Sequence, residues 1–114
     1  MRAVQCKVFG PPEDLVIEEA ADPAPGPGQI LIAVKAAGVG FVDGLFVQGL
    51  YQIKPPLPFI PGSEIAGEVL AVGEGVTEFA AGDRVLGLGG GAFAEKAVAP
   101  AAACAQMPEN FSFE

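Results

Sequence analysis

An all-β barrel or sandwich is the fold class this sequence predicts, and three observations predict it. Short apolar segments recur roughly every 8–12 residues, each closed by glycine or proline. Glycine (16) and proline (11) are abundant among the 114 residues, a composition that disfavours helical bundles. No apolar run approaches the roughly 18 residues of a membrane span. Taken in order, Arg2 to Phe9 interleaves apolar residues with Arg2, Gln5 and Lys7 and reads as a half-buried strand stopped by Gly10-Pro11-Pro12. Leu15 to Glu19 reads as its hairpin partner, and Asp22 to Gly28 as a turn. Gln29 to Ala37 is the strongest strand, its incomplete alternation predicting cover on both faces for part of its length. Val42 to Leu50 has the spacing of a short helix, weakened by Gly44 and Gly49. Lys54 to Gly62 (KPPLPFIPG) must be an ordered, extended loop. Further strands are predicted over Glu64–Val72, at Arg84-Val85-Leu86 and over Phe93–Val98, with turns at Gly73–Gly75 and Ala81–Asp83. Pro108 to Glu114 reads as the approach to a helix capped by Ser112, as though the chain stopped at a domain junction.

Charge and residue counts exclude several function classes. Fourteen acidic against six basic residues give a net charge of −8, and the acids are scattered. Such a field repels phosphate backbones and offers no polybasic stripe, so neither nucleic acid nor an anionic membrane is the expected partner. Histidine is absent, which removes Ser-His-Asp triads, Cys-His pairs and histidine proton shuttles. Cys6 and Cys104 lie near opposite ends of the chain, too few and too distant for a Cys/His zinc site. They read as reduced, partly buried thiols, with a disulfide between them as the open alternative. With no signal-peptide pattern in MRAVQCKVF, the expected location is the cytoplasm.

One motif invites a stronger reading than it supports. Gly87-Leu-Gly89-Gly-Gly-Ala92 satisfies the G-x-G-x-x-A form of a dinucleotide fingerprint. That function needs a helix directly after the loop, and FAEKAV reads instead as a strand. A glycine hairpin is the expectation.

Three segments together are specific: GPGQILIAVKAAGVGFVD (26–43), GLYQIKPPLPFIPGSEIAGEVLAVGEGV (49–76), and AGDRV with the following glycine loop and GAFAEKAV (81–98). They resemble the N-terminal GroES-like catalytic domain of the medium-chain dehydrogenase/reductase superfamily. The resemblance covers essentially the whole chain and is strongest to the zinc-free NADPH:quinone oxidoreductase (zeta-crystallin-like) group. It implies a mainly β, partly open GroES-like barrel with one or two short helices over residues 1–114, cut before a Rossmann domain that would hold most of the NADPH. It also implies hydride transfer to a quinone or enone, chemistry carried by the cofactor, which reconciles an enzyme with a histidine-free chain. For the full-length enzyme it implies a homodimer.

The departures from the family are as informative as the matches. Gly40, Phe41 and Ser63 stand where zinc-dependent relatives carry a cysteine, a histidine and a second histidine. Only Asp43 and Glu64 remain as ligands there, and two carboxylates make a poor zinc site, so no zinc is expected. Gly40 also replaces the asparagine usual in quinone reductases, and Leu45 a frequent tyrosine. Asp43, Tyr51, Ser63 and Glu64 match, and the resemblance places all four around the nicotinamide, with Tyr51 and Asp43 as the catalytic candidates. From the residues alone, Tyr51 is either a stacking or hydrogen-bonding group in the cleft or a packing ring. Asp43 either caps the short helix or touches cofactor. Glu64 either pairs with Arg84 or faces the cleft. Apolar Phe41, Leu45 and Phe46 should be left wet in the isolated chain, a hazard for self-association. Two other functions fit the same residues: a different zinc-free reductase of the enoyl reductase type, and a stand-alone GroES-like binding module without catalysis.

Overall fold

Alternation along the strands decides where the core lies. The computed structural model describes residues 1–114 and contains seven strands: β1 (Arg2–Gln5), β2 (Val16–Glu19), β3 (Gln29–Gly38), β4 (Glu64–Val72), β5 (Arg84–Leu88), β6 (Lys96–Pro100) and β7 (Cys104–Gln106). One helix, α1 (Phe41–Gln48), and two single 3₁₀ turns complete the regular structure. Five strands form one antiparallel sheet in the order β6-β3-β4-β5-β7, and β1 and β2 form a separate ribbon. On β3, β4, β5 and the edge strand β6 alternate residues point inward: Ile30 and Ile32, Ile65 and Val69, Val85, and Ala97 and Ala99. With Phe79, Ala92 and Ala101 they make one core. Each fully buried Ile or Val contributes about 1.5–3 kcal/mol.

Curvature closes the sheet partway. Two register shifts in the β3–β4 pairing, at Leu31/Ile32 and Val34/Ala36, bend the sheet. Gly67 makes the close approach possible, since a Cβ there would run into the Ala33 carbonyl and Ile32 Cγ2. The β1–β2 ribbon is stitched across the opening. Val4 N–H donates to the Phe93 carbonyl at 2.8 Å, and Cys6 and Phe59 exchange backbone bonds of 2.8 and 3.1 Å. The result is a mainly β, partly open barrel with one short helix, as the sequence predicts.

Several expectations are corrected. The first strand ends at Gln5 instead of Phe9, because Cys6 leaves the ribbon to pair with Phe59. The predicted strand 93–98 begins three residues later and runs through Pro100, which an edge position permits. Strand β7 went unpredicted; its three residues are too few for a periodic signal. Residues 108–114, read as the approach to a helix, form a turn and an extended tail held by Arg84, whose guanidinium donates to the Phe111 carbonyl at 2.7 Å and lies 4.6 Å from the Phe113 ring centre. The glycine loop is also no hairpin. The strands it joins, β5 and β6, are not paired neighbours, and its backbone runs along residues 61–63 instead. Both cysteines are free, so the disulfide alternative falls.

Candidate functional site

Helix α1 starts where it does because Gly40 is extended (φ −115°, ψ 170°) and Asp43 reaches back to it. The Gly40 N–H donates to Asp43 Oδ2 at 2.8 Å, and the Asp43 N–H donates to the Gly40 carbonyl at 3.2 Å. An acid three residues into a helix satisfies a free amide and meets the positive end of the dipole. Asp43 is only 7% exposed and caps the helix, while the residue also borders a cleft. The helix stops at Gly49, which takes the left-handed conformation (φ 71°). Tyr51 follows directly and lays its ring on Phe46, centroids 4.7 Å apart and tilted by 35°.

The opposite side of the cleft is built from backbone. The proline loop returns past Phe59, and the glycine loop hydrogen-bonds along it: Phe93 N–H to Pro61 O at 3.0 Å, Ala92 N–H to Gly62 O at 3.3 Å and Gly89 N–H to Ser63 O at 3.0 Å. Between these walls lies a cleft of about 230 Å³, bordered by Asp43, Phe46, Phe59, Ser63, Gly90 and Gly91. Two aromatic residues line it together with Ser63 and Asp43, a mainly apolar recess with a few polar residues, as small-molecule sites have. A larger, more open groove of about 540 Å³ crosses β4 and β5 beside the tail, bordered by Gly38, Glu64, Leu88, Ala103 and Phe113. Its polar side chains are Glu64 and Glu114; the smaller cleft is the more enclosed of the two and sets aromatic rings beside Asp43 and Ser63, which makes it the better candidate.

Four residues were singled out, and the structure divides them. Asp43 and Ser63 line the cleft. Tyr51 lines neither recess; it backs Phe46, so it acts on the cleft through that ring. Glu64 is the neighbour of Ser63 in an extended segment and therefore points to the other face, into the larger groove. There its carboxylate fills the space a side chain on Gly38 would take. The expected Glu64–Arg84 pair does not form: Glu68, not Glu64, lies opposite Arg84, and the guanidinium is committed to the tail. Phe41 is 84% exposed as anticipated, whereas Leu45 and Phe46 are half-buried.

Metal-binding geometry can be judged from the same division. No cluster of three or more Cys, Asp or Glu side chains exists, and Asp43 and Glu64 border different recesses. Burial pushes both the Cys6 and Cys104 thiols above the ordinary cysteine value, which disfavours the thiolate. Phe59 and the Gly90-Gly91 floor were not anticipated as site residues. The run of three glycines was their only signal in the sequence, and it drew attention as a phosphate loop.

A partly open barrel with a cleft between a capped helix and a glycine strip defines a class, and family comparison agrees. The alcohol dehydrogenase GroES-like domain model matches residues 26–109, and the chain belongs to that family. Within it the kinship is to quinone oxidoreductases of the medium-chain dehydrogenase/reductase superfamily. The chain is 45% identical over 115 residues to the quinone oxidoreductase-like protein 2 homolog of Nematostella vectensis, covering 98% of this chain and 31% of that protein. It is 50% identical over 96 residues to the synaptic vesicle membrane protein VAT-1 homolog of Rattus norvegicus, covering 83% of this chain and 24% of that protein. The Escherichia coli quinone oxidoreductase complexed with NADPH superimposes with a TM-score of 0.93 at 34% identity, over 99% of this chain and 35% of that one. The chain thus spans about a quarter to a third of the length of these relatives.

Proposed function

We propose that this chain is the acceptor-side domain of a cytoplasmic, NADPH-dependent reductase of quinones or electron-poor enones that works without zinc. The observation that carries this reading is the cleft itself. Its two aromatic walls suit a planar acceptor, and the Ser63 hydroxyl and Asp43 carboxylate at its border are its polar contacts. A space of about 230 Å³ admits a ring but not a dinucleotide. The cleft therefore takes the acceptor ring, with Asp43 and Ser63 at the border where the nicotinamide would meet it, and NADPH is held for the most part by residues beyond this chain.

NADPH, when bound, supplies the hydride. The contribution of this chain is to hold the acceptor within roughly 3–3.5 Å of the donor carbon and to exclude water. Phe46 and Phe59 fix the plane of the ring. Ser63 donates a hydrogen bond to an acceptor oxygen as charge builds there. Tyr51 is a positioning residue that keeps Phe46 in place. Glu64 faces the larger groove, where contact with a partner domain suits it better than contact with the acceptor. The full-length protein is expected to act as a homodimer.

The test is an NADPH oxidation assay on the protein isolated from its native cells, with quinones and enoyl thioesters as rival acceptors and elemental analysis for zinc. Turnover with quinones that survives chelator dialysis supports the reading. A marked preference for enoyl thioesters would move it to the enoyl reductase type. Inactivity with both, together with ring-like assembly in light scattering, would favour a binding module. The isolated 114-residue chain is expected to show no quinone reduction and no micromolar affinity for NADPH.

A further inference from the structure

Each aromatic wall of the cleft is backed by a ring that does not itself border it. Phe46 is backed by Tyr51. Phe59 is backed by Phe9, the ring centroids 6.4 Å apart and the planes tilted by 47°, within the range of a favourable aromatic pair. Phe9 is half-buried and lines neither the cleft nor the larger groove.

The segment that carries Phe9 ties the two walls together. At one end, Cys6 exchanges backbone bonds of 2.8 and 3.1 Å with Phe59. At the other, the Gly10 N–H donates to the Val47 carbonyl in the last turn of α1, at 3.0 Å. Between these ties the Phe9 side chain sits directly on Gly49. A Cβ there would lie 2.9 Å from Phe9 Cγ and 3.2 Å from its Cβ and Cδ1. Gly49 therefore serves twice: its φ of +71° ends the helix, and its missing side chain seats Phe9. One ring thus meets the end of α1 on one side and Phe59 on the other.

The paired bonds to Cys6 fix the backbone of Phe59 but leave its ring free to turn about χ1 and χ2. The Phe9 ring is the aromatic contact that limits that turn. In a cleft of about 230 Å³, a swing of Phe59 into the space Phe9 occupies would loosen the hold on a flat ring. We infer that Phe9 is a positioning residue for the acceptor: seated on Gly49, it keeps Phe59 at the spacing from Phe46 that holds a planar ring. This rests on the quinone reading above and adds a residue that never touches the acceptor.

The experiment uses the full-length enzyme with NADPH as donor and tetramethylbenzoquinone as acceptor, each varied while the other is saturating. Circular dichroism reports whether each variant is folded. Phe9→Ala should raise the acceptor KM by about 5-fold or more and lower kcat/KM for the acceptor by about 10-fold, while the NADPH KM changes less than about 2-fold. Phe9→Tyr keeps the ring and should restore all three to within about 2-fold of the unaltered enzyme. A merely structural role would thin the active population, lowering kcat and leaving the acceptor KM where it was. That outcome in folded Phe9→Ala overturns the inference, as does an equal rise in both KM values or a Phe9→Tyr that behaves like Phe9→Ala. Should Phe9→Ala fail to fold, Phe9→Leu decides, because it fills part of the seat without a flat face, and an unchanged acceptor KM in that variant overturns the inference. All of these results leave the quinone reading standing. If the unaltered enzyme does not reduce tetramethylbenzoquinone, the quinone reading falls, and the role of Phe9 falls with it.

Discussion

The two walls of the cleft are made in opposite ways. The α1 wall is side chains on a local frame: Asp43 caps its own helix three residues away, and Tyr51 supports Phe46 from five residues on. The glycine wall is bare backbone held at long range, residues 89–93 hydrogen-bonded to residues 61–63. A local frame tolerates loss of one contact, because the helix is still held by the buried Val47, whose carbonyl accepts from the Gly10 N–H. A backbone strip at close approach tolerates almost nothing at its contact points, because an added atom has no direction in which to yield.

Breaking the glycine wall should have the largest effect. Gly62→Ala combines a positive φ with contact against Phe93 and Ala92, and should cost on the order of 2–4 kcal/mol in urea unfolding. A loss under about 1 kcal/mol would show that the strip can shift. On the other wall, Asp43→Ala removes the bond to Gly40 and should cost about 1 kcal/mol, with loss of amide protection confined to the first turn of α1. Tyr51→Ala should cost about as much, through the lost ring contact, while Tyr51→Phe should be near neutral in stability and, in the full-length enzyme, in turnover. If Tyr51→Phe abolished turnover, the hydroxyl would have a chemical role that its position behind Phe46 does not predict.

The smallest effect lies outside both walls and serves as their control. The Asp83 carboxylate accepts bonds from Gln106 and from the Ala80 amide, both at 2.9 Å. Chiefly the Gln106 bond, and then the Ala80 bond, hold its pKa below the ordinary value of 3.8. Because the folded-state pKa is depressed, the stability it contributes is present above the ordinary value and is lost as pH falls through the folded one. Asp83→Asn should flatten the acid limb of a stability-against-pH curve and leave the cleft amides unmoved. A cleft that responded to Asp83→Asn would mean the two ends of the barrel are coupled.

What could be read in the sequence follows the same divide. Strands β3 and β4 and helix α1 were legible because alternation, helical spacing and an acid near a glycine are local signals. So was the family, carried by residues 26–98 as a set. The pairing of the glycine loop with the proline loop was not legible, since hydrogen bonds between bare backbones leave no side-chain pattern. Ser63 and Glu64 looked like one site because they are adjacent, yet adjacency in an extended chain separates two side chains onto opposite faces. Arg84 looked like a partner for Glu64 by charge alone; four residues along the same strand, Glu68 occupies that register.

The stacking of Tyr51 on Phe46 has an optical consequence. The chain has one tyrosine and no tryptophan, so emission excited in the tyrosine band, to the red of phenylalanine absorption, originates behind one wall of the cleft. Quinones are efficient quenchers at short range, and an acceptor lying on Phe46 would dim that single fluorophore. The molecule therefore carries its own unlabelled gauge of occupancy, readable at stopped-flow speed, and Tyr51→Phe supplies the dark control.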